Sequence, residues 1–178
     1  IVTDGSSDNT ATLVASHSSI LHLHQPERRG KTAALNRAMQ QVKTPFVVFS
    51  DANALLHPDS IQNLLRHYRD PKVGGVSGEK RIVANGDTAV GAGERIYWQY
   101  ESMLKKADAD FYTVIGAAGE LFSIRAELFE PLPETIILDD FILSAPICRK
   151  GYRFAYDRQA YATEGPSETI AEEQQRKN

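Results

Sequence analysis

The sequence predicts an α/β domain with a mainly parallel sheet and helices on both faces, cut short at its N-terminal strand. Strand-like and helix-like stretches alternate through the first 83 residues. Phe46-Val47-Val48-Phe49 is an unbroken apolar run leading into the polar cluster Ser50-Asp51-Ala52-Asn53. Ala34, Leu35, Ala38, Met39 and Val42 recur at helical spacing, as do Ile61, Leu64, Leu65 and Tyr68. Alternation of this kind is the pattern of crossover-linked strands, which pair in parallel with helices covering both faces.

In chain order, Ile1-Val2-Thr3 reads as the end of a strand whose partners lie upstream, and the chain, opening without methionine, is expected to be a fragment of a longer protein. A polar turn from Asp4 to Thr10 leads to a short helix over 11–16, capped by Asp8 or Asn9. Residues 20–24 alternate as a second strand that puts His22 and His24 on one face, where two histidines without a third ligand are more often surface residues than a metal site. Gly30 and Lys31 open the next helix, and the apolar run at Phe46 reads as a strand buried on both faces. Pro58 and Asp59 start a third helix, closed by Asp70-Pro71, before an extended stretch over 73–83. The pattern then changes to a polar loop over 84–93, a helix over 94–107 and two short strands around the Gly116–Gly119 turn. A helix over 141–150 ends at Gly151, late extended segments follow at 152–156 and 161–164, and Ser167 caps a closing helix.

Composition narrows the function classes. With 178 residues, 42% hydrophobic and 24% charged, the chain is expected to form one soluble globular domain. A net charge of −3 without a basic, aromatic-interleaved patch argues against a nucleic-acid surface. Cys148 is the sole cysteine, which excludes a disulfide framework and suits a reducing cytosol. No apolar segment approaches a membrane span, and no signal peptide is present.

Several polar residues stand where ligands collect in such folds, beyond the carboxyl ends of strands. On an extended chain Asp51 and Asn53 would aim two oxygens at one point, a site suited to magnesium or manganese; the alternative is an ordinary turn before the helix at Pro58. Lys31 on a first helical turn is unfavourable for the macrodipole unless an anion is bound there; otherwise it is a solvated lysine. Gly116-Ala117-Ala118-Gly119-Glu120 allows close ligand approach, or merely a tight hairpin. Asp139-Asp140 sits at a helix start, where carboxylates favour the dipole whether or not one enters a pocket. Tyr97, Trp98 and Tyr100 could line a sugar site, although core packing is the expectation for at least two of them.

The succession Asp4-Gly5-Ser6, Gly30-Lys31 with Ala34-Leu35-Asn36, Ser50-Asp51-Ala52-Asn53, Gly116 to Gly119 and Asp139-Asp140-Phe141-Ile142-Leu143 resembles the family 2 glycosyltransferases. The likeness spans nearly the whole chain and is greatest to bacterial polysaccharide synthases. It implies the GT-A fold, with a Rossmann-like nucleotide-sugar half (1–83) joined to an acceptor and catalytic-base half (84–178). It implies that Asp4 meets the nucleotide base and that Lys31 lies near the diphosphate. Asp51 and Asn53 match the D-x-D motif that holds the metal and the sugar nucleotide, with Asn53 replacing the usual second aspartate. Gly119 and Glu120 fall at the acceptor side. Asp139-Asp140 matches the T-E-D pair whose second acid is the base, with Asp139 where glutamate is commoner.

The closing helix from Ser167 matches the one leading to Q-x-x-R-W, which is incomplete here. The implied reaction is inverting transfer from a nucleotide diphosphate sugar, UDP-linked by expectation, to a polysaccharide or lipid-linked acceptor, assisted by Mg2+ or Mn2+. The implied setting is the cytoplasmic face of the bacterial inner membrane, with a membrane-embedded parent. Two other classes remain open at this point: a sugar nucleotidyltransferase, and a non-catalytic module that binds nucleotide or glycan.

Overall fold

The computed structural model describes residues 1–82, 89–133 and 139–164. Seven strands and five α-helices follow one another among these residues. β1 (Val2–Asp4), α1 (Thr10–Ala15), β2 (Leu23–Gln25) and α2 (Lys31–Met39) come first. β3 (Phe46–Phe49), β4 (Leu55–Leu56), α3 (Ser60–Arg66) and β5 (Val73–Ile82) follow. α4 (Ala89–Phe111), β6 (Phe122–Arg125), α5 (Asp139–Arg149) and β7 (Arg153–Glu164) complete the order. The helix expected from Ser167 lies outside the described residues, as do 83–88 and 134–138.

The α/β class holds, but the strands form two sheets and the larger one is mixed. β1 and β2 pair in parallel as a separate ladder. The other five take the order β3-β6-β5-β7-β4, in which only β5 and β7 run parallel. β3, expected inside a parallel sheet, instead stands at the edge and pairs antiparallel with β6. An apolar run reports burial by side chains and carries no information about the direction of a neighbouring strand.

Side-chain alternation along the strands divides the core in two. On one face Phe49, Phe122, Ile124 and Phe154 pack with Leu143 and Ile147 of α5, backed by Leu35 and Met39 of α2. On the other, Val76 and Ala162 meet Leu64 and Tyr68 beneath Phe46 and Val48. Phe154 is fully buried and Phe122 nearly so; each contributes about 1.5–3 kcal/mol of transfer free energy relative to exposure. Helices therefore cover both faces, as expected.

Local expectations shift where tertiary packing decides. Ile61 and Leu65 of α3 are exposed, while Leu64 and Tyr68 are buried. α4 begins at Ala89, inside the expected loop, and runs 23 residues. Residues 113–115 form no strand, so the Gly116 turn joins a loop to β6 rather than closing a hairpin. The two late extended segments are one strand, β7, interrupted by a bulge. Between Ser77↔Tyr156 and Glu79↔Tyr161, β5 has only Gly78 while β7 has residues 157–160. A Cβ on Gly78 would lie 2.6 Å from Ala160 O, so the bulge requires glycine opposite it. Among the described residues no helix is long and apolar enough to cross a membrane.

Candidate active site

The end of β1 is tied to the start of α2 by one carboxylate. Asp4 Oδ2 accepts hydrogen bonds from the backbone N–H groups of Arg29 (2.8 Å) and Gly30 (2.7 Å). Gly30 is the N-cap of α2, so Asp4 fixes where the helix points. Asp4 Oδ1 is buried without a hydrogen-bond partner, with the Arg37 guanidinium 3.8 Å away. Arg37 also donates to Gln25 Oε1 and to Thr3 O, cross-linking α2 to both strands of the small sheet. The rings of His22 and His24 share the Thr3 hydroxyl, a structural use of the pair.

Lys31 then reaches across to the end of β3, where its Nζ meets Asp51 Oδ1 at 3.0 Å. Asp51 does not continue the strand. Ala54 N–H donates to Asp51 O and closes a turn over Ala52 and Asn53. The extended geometry expected to aim Asp51 and Asn53 at one point is therefore absent. Only Asp51 of the two lines the cleft described next; Asn53 is exposed at the turn. Polar residues after a strand favour either geometry, and here the tight turn into β4 wins.

Lys31 and Asp51 form one wall of a cleft of about 570 Å³. Asp140 and Phe141, at the start of α5, stand on another, and Trp98 and Glu101 of α4 on a third. Asp140 Oδ1 accepts the Phe141 N–H at 2.8 Å. A Cβ built on Gly119 would sit 3.6 Å from Asp140 Oδ2, so the 116–119 loop packs closely against this carboxylate. That loop is pinned by Gly116 N–H to Ser144 Oγ and by Ala118 N–H to Ser77 Oγ. Gly116 has φ +92°, a left-handed conformation that glycine adopts without strain. Asp139 opens α5, but its side chain lies outside the described residues.

The floor beside Glu120 is a buried ion cluster that the sequence did not reveal. Lys80 Nζ contacts Glu120 Oε1 at 2.5 Å and Glu164 Oε2 at 2.8 Å, and sits 4.5 Å from the Trp98 ring centroid. Burial opposes the charge on Lys80, but hydrogen bonds to the two glutamates outweigh it and raise its pKa above the ordinary lysine value. Glu120 and Trp98 are thus held from below. Tyr97 lines the cleft and is exposed, as is Tyr100 outside it; neither packs in the core as expected. Asn36 has a scaffolding role, exchanging hydrogen bonds with the backbone of Leu132.

Of the residues singled out from sequence, Lys31, Asp51, Gly119, Glu120 and Asp140 share one cleft. Asp4 stands behind it, one residue from Lys31 through Gly30. Among the described residues no group of three His, Cys, Asp or Glu side chains could hold a metal alone. Asp51 fits a divalent ion of the kind shared with a ligand's phosphates, which takes only one or two protein carboxylates.

Comparison with known proteins bears on the family and the fold. Residues 1–132 match the model of Glycosyl transferase family 2. The poly-β-1,6-N-acetyl-D-glucosamine synthase of Staphylococcus aureus (strain COL) is 29% identical over 167 residues, covering 88% of this chain. The chain spans 40% of that synthase's length. The mannosyltransferase PcManGT from Pyrobaculum calidifontis, solved with GDP-Man and Mn2+, superposes with a TM-score of 0.75 at 26% identity. That match covers 92% of this chain and 46% of the mannosyltransferase. S. aureus TarS (1–349) shares the fold, with a TM-score of 0.65 at 16% identity, over 92% of this chain and 50% of its own. The fold is GT-A, and the chain belongs to glycosyl transferase family 2.

Proposed function

We propose that this domain transfers a sugar from a nucleotide diphosphate sugar to an acceptor hydroxyl with inversion at the anomeric carbon. The observation that carries the reading is the single cleft lined by Lys31, Asp51 and Asp140 together with the small residues Gly116 to Gly119. Asp140 takes the proton of the acceptor hydroxyl as its oxygen bonds to the anomeric carbon. The bond from that carbon to the diphosphate oxygen breaks, and its electron pair leaves with the nucleoside diphosphate. Lys31, beside the N-terminal N–H groups of α2, offsets negative charge on the departing phosphates. Asp51 would hold a divalent ion, magnesium or manganese, which supplies further neutralisation of the diphosphate. The Mn2+ and GDP-Man bound to the mannosyltransferase relative support a donor and a metal of this kind. The synthase relative supports a glycan acceptor.

UDP is the proposed nucleotide. Asp4 is proposed to act on it indirectly, by fixing the loop before α2 through the Arg29 and Gly30 N–H groups. Glu120 and Trp98 are proposed to meet the acceptor sugar through a hydrogen bond and a stacked face. The test is calorimetric titration of the protein carrying this chain with UDP- and GDP-sugars, with and without manganese, alongside sugar transfer by Asp140→Asn. Manganese-dependent binding of a UDP-sugar and loss of transfer in the variant are expected. Transfer at the normal rate by a folded Asp140→Asn protein would end the assignment of the base.

A further inference from the structure

Outside the cleft, a second and larger depression of about 780 Å³ lies between α3 and the bulge of β7. Its walls carry four guanidinium groups, from Arg66, Arg69, Arg81 and Arg158, against the one carboxylate of Asp59. The arginines are held out rather than collapsed. Buried Glu79 anchors Arg81 and Arg158 through their Nε atoms at 2.8 Å each. Buried Asp157 anchors Arg66 at 2.8 Å and His67 at 2.8 Å. Arg81 has its Cζ 3.6 Å from the Tyr161 ring centroid and donates to Arg158 O. Arg69 is exposed and makes no hydrogen bond or ion pair among the described residues.

A smaller hollow of about 270 Å³ is lined by Arg81 and Arg158, which also line this depression, and by Trp98, which also lines the cleft. The three are therefore neighbours, with the Trp98 ring next to the hollow that adjoins the arginines. Guanidinium groups match carboxylate and phosphate oxygens in paired hydrogen bonds, and prepositioned ones lose little freedom on binding.

We propose that the arginine-lined depression is a second binding site, holding an anionic stretch of glycan whose end reaches the cleft. The ligand class is an oligomer bearing repeated carboxylate or phosphate groups. The site rests on the transferase reading only in making that oligomer the acceptor. Arg69 and Arg158 contact the anions, and Tyr161 holds Arg81 in place.

The test is equilibrium binding to the protein carrying this chain, using tetragalacturonate, a glycerol-phosphate tetramer, neutral chitotetraose and inorganic phosphate. One or both anionic oligomers are expected to bind, more weakly as salt rises, and at least about tenfold more tightly than chitotetraose. Whichever binds identifies the anion. Arg69→Glu, at an exposed position without partners, should weaken that binding by about tenfold and leave nucleotide-sugar binding unchanged. Arg158→Gln should act in the same direction, and Arg69→Glu carries the test if loss of the Glu79 anchor unfolds the second variant. Equal binding of chitotetraose, inorganic phosphate binding as tightly as the oligomers, or indifference to Arg69→Glu would overturn the proposal. Asp140→Asn should leave oligomer binding intact. Transfer that survives that variant removes the reading of the cleft alone, and oligomer binding that ignores Arg69→Glu removes the arginine site alone.

Discussion

Two walls of the cleft, that of Lys31 and Asp51 and that of Trp98, are built differently. The wall bearing Lys31 and Asp51 is made by the first turn of α2 and the turn after edge strand β3, and its ion pair is open to water, with side-chain exposures of 54% and 34%. The wall bearing Glu120 and Trp98 rests on the long β5–β7 ladder, and its Lys80–Glu120–Glu164 cluster is almost dry, at 11%, 13% and 5%. An exposed pair contributes little to stability and re-forms easily around an arriving anion. A buried cluster is costly to disturb and holds its neighbours in one arrangement. The first wall is therefore open to rearrangement, and the second is held in one arrangement.

Breaking this contrast gives a graded set of outcomes. Asp140→Asn should lower sugar transfer by about 10²–10⁴ with thermal unfolding unchanged, measured as product formation at saturating donor. Lys80→Met leaves two buried glutamates without a cation. It should cost about 3–5 kcal/mol in denaturant unfolding, an effect that would erase the contrast if it proved negligible.

Acid should act on the β5–β7 side as well. Burial raises the pKa of Glu79, but Arg158 and Arg81 outweigh it and hold it below the ordinary range. Burial likewise opposes His67, the Gln159 N–H and Arg66 at Asp157, and the net shift is again downward. Both groups thus contribute stability that is complete above the unfolded carboxylate range and lost as pH falls through their lower folded values. Thermal midpoints should be flat near neutrality and fall below about pH 4. The smallest effect is expected from Lys31→Ala, which should change unfolding by less than about 0.5 kcal/mol while weakening nucleotide-sugar binding in titration.

Much of the site could be read from residues adjacent to strand ends and helix starts. Lys31 after Gly30, Asp51 after β3 and Asp140 at α5 are local signals, and the structure gathers them in one cleft. Asn53 misled because period-2 reasoning assumes an extended chain, and the chain turns at Ala52. Strand direction was illegible for a related reason, since Phe46 to Phe49 would look the same in either pairing. The Lys80 cluster joins residues 40 and 84 positions apart, and the arginine site joins α3 to a bulge more than 90 positions away. Nothing local marks such partners. On α4 the aromatic residues promised burial that Tyr97 and Tyr100 do not have, because an apolar ring states an affinity without naming what satisfies it.

The bulge in β7 carries a consequence for how such a protein diversifies. Pairing resumes at Glu79↔Tyr161 after residues 157–160 have looped out, so the bulge sets side chains beside the ladder without ending it. Asp157 and Ala160 are buried and fasten the loop to α3 and the core, whereas Arg158 stands at the outer depression. Exchange at position 158 would therefore change the character of that outer surface while Lys80, one step along β5 from Glu79, stays beneath Trp98.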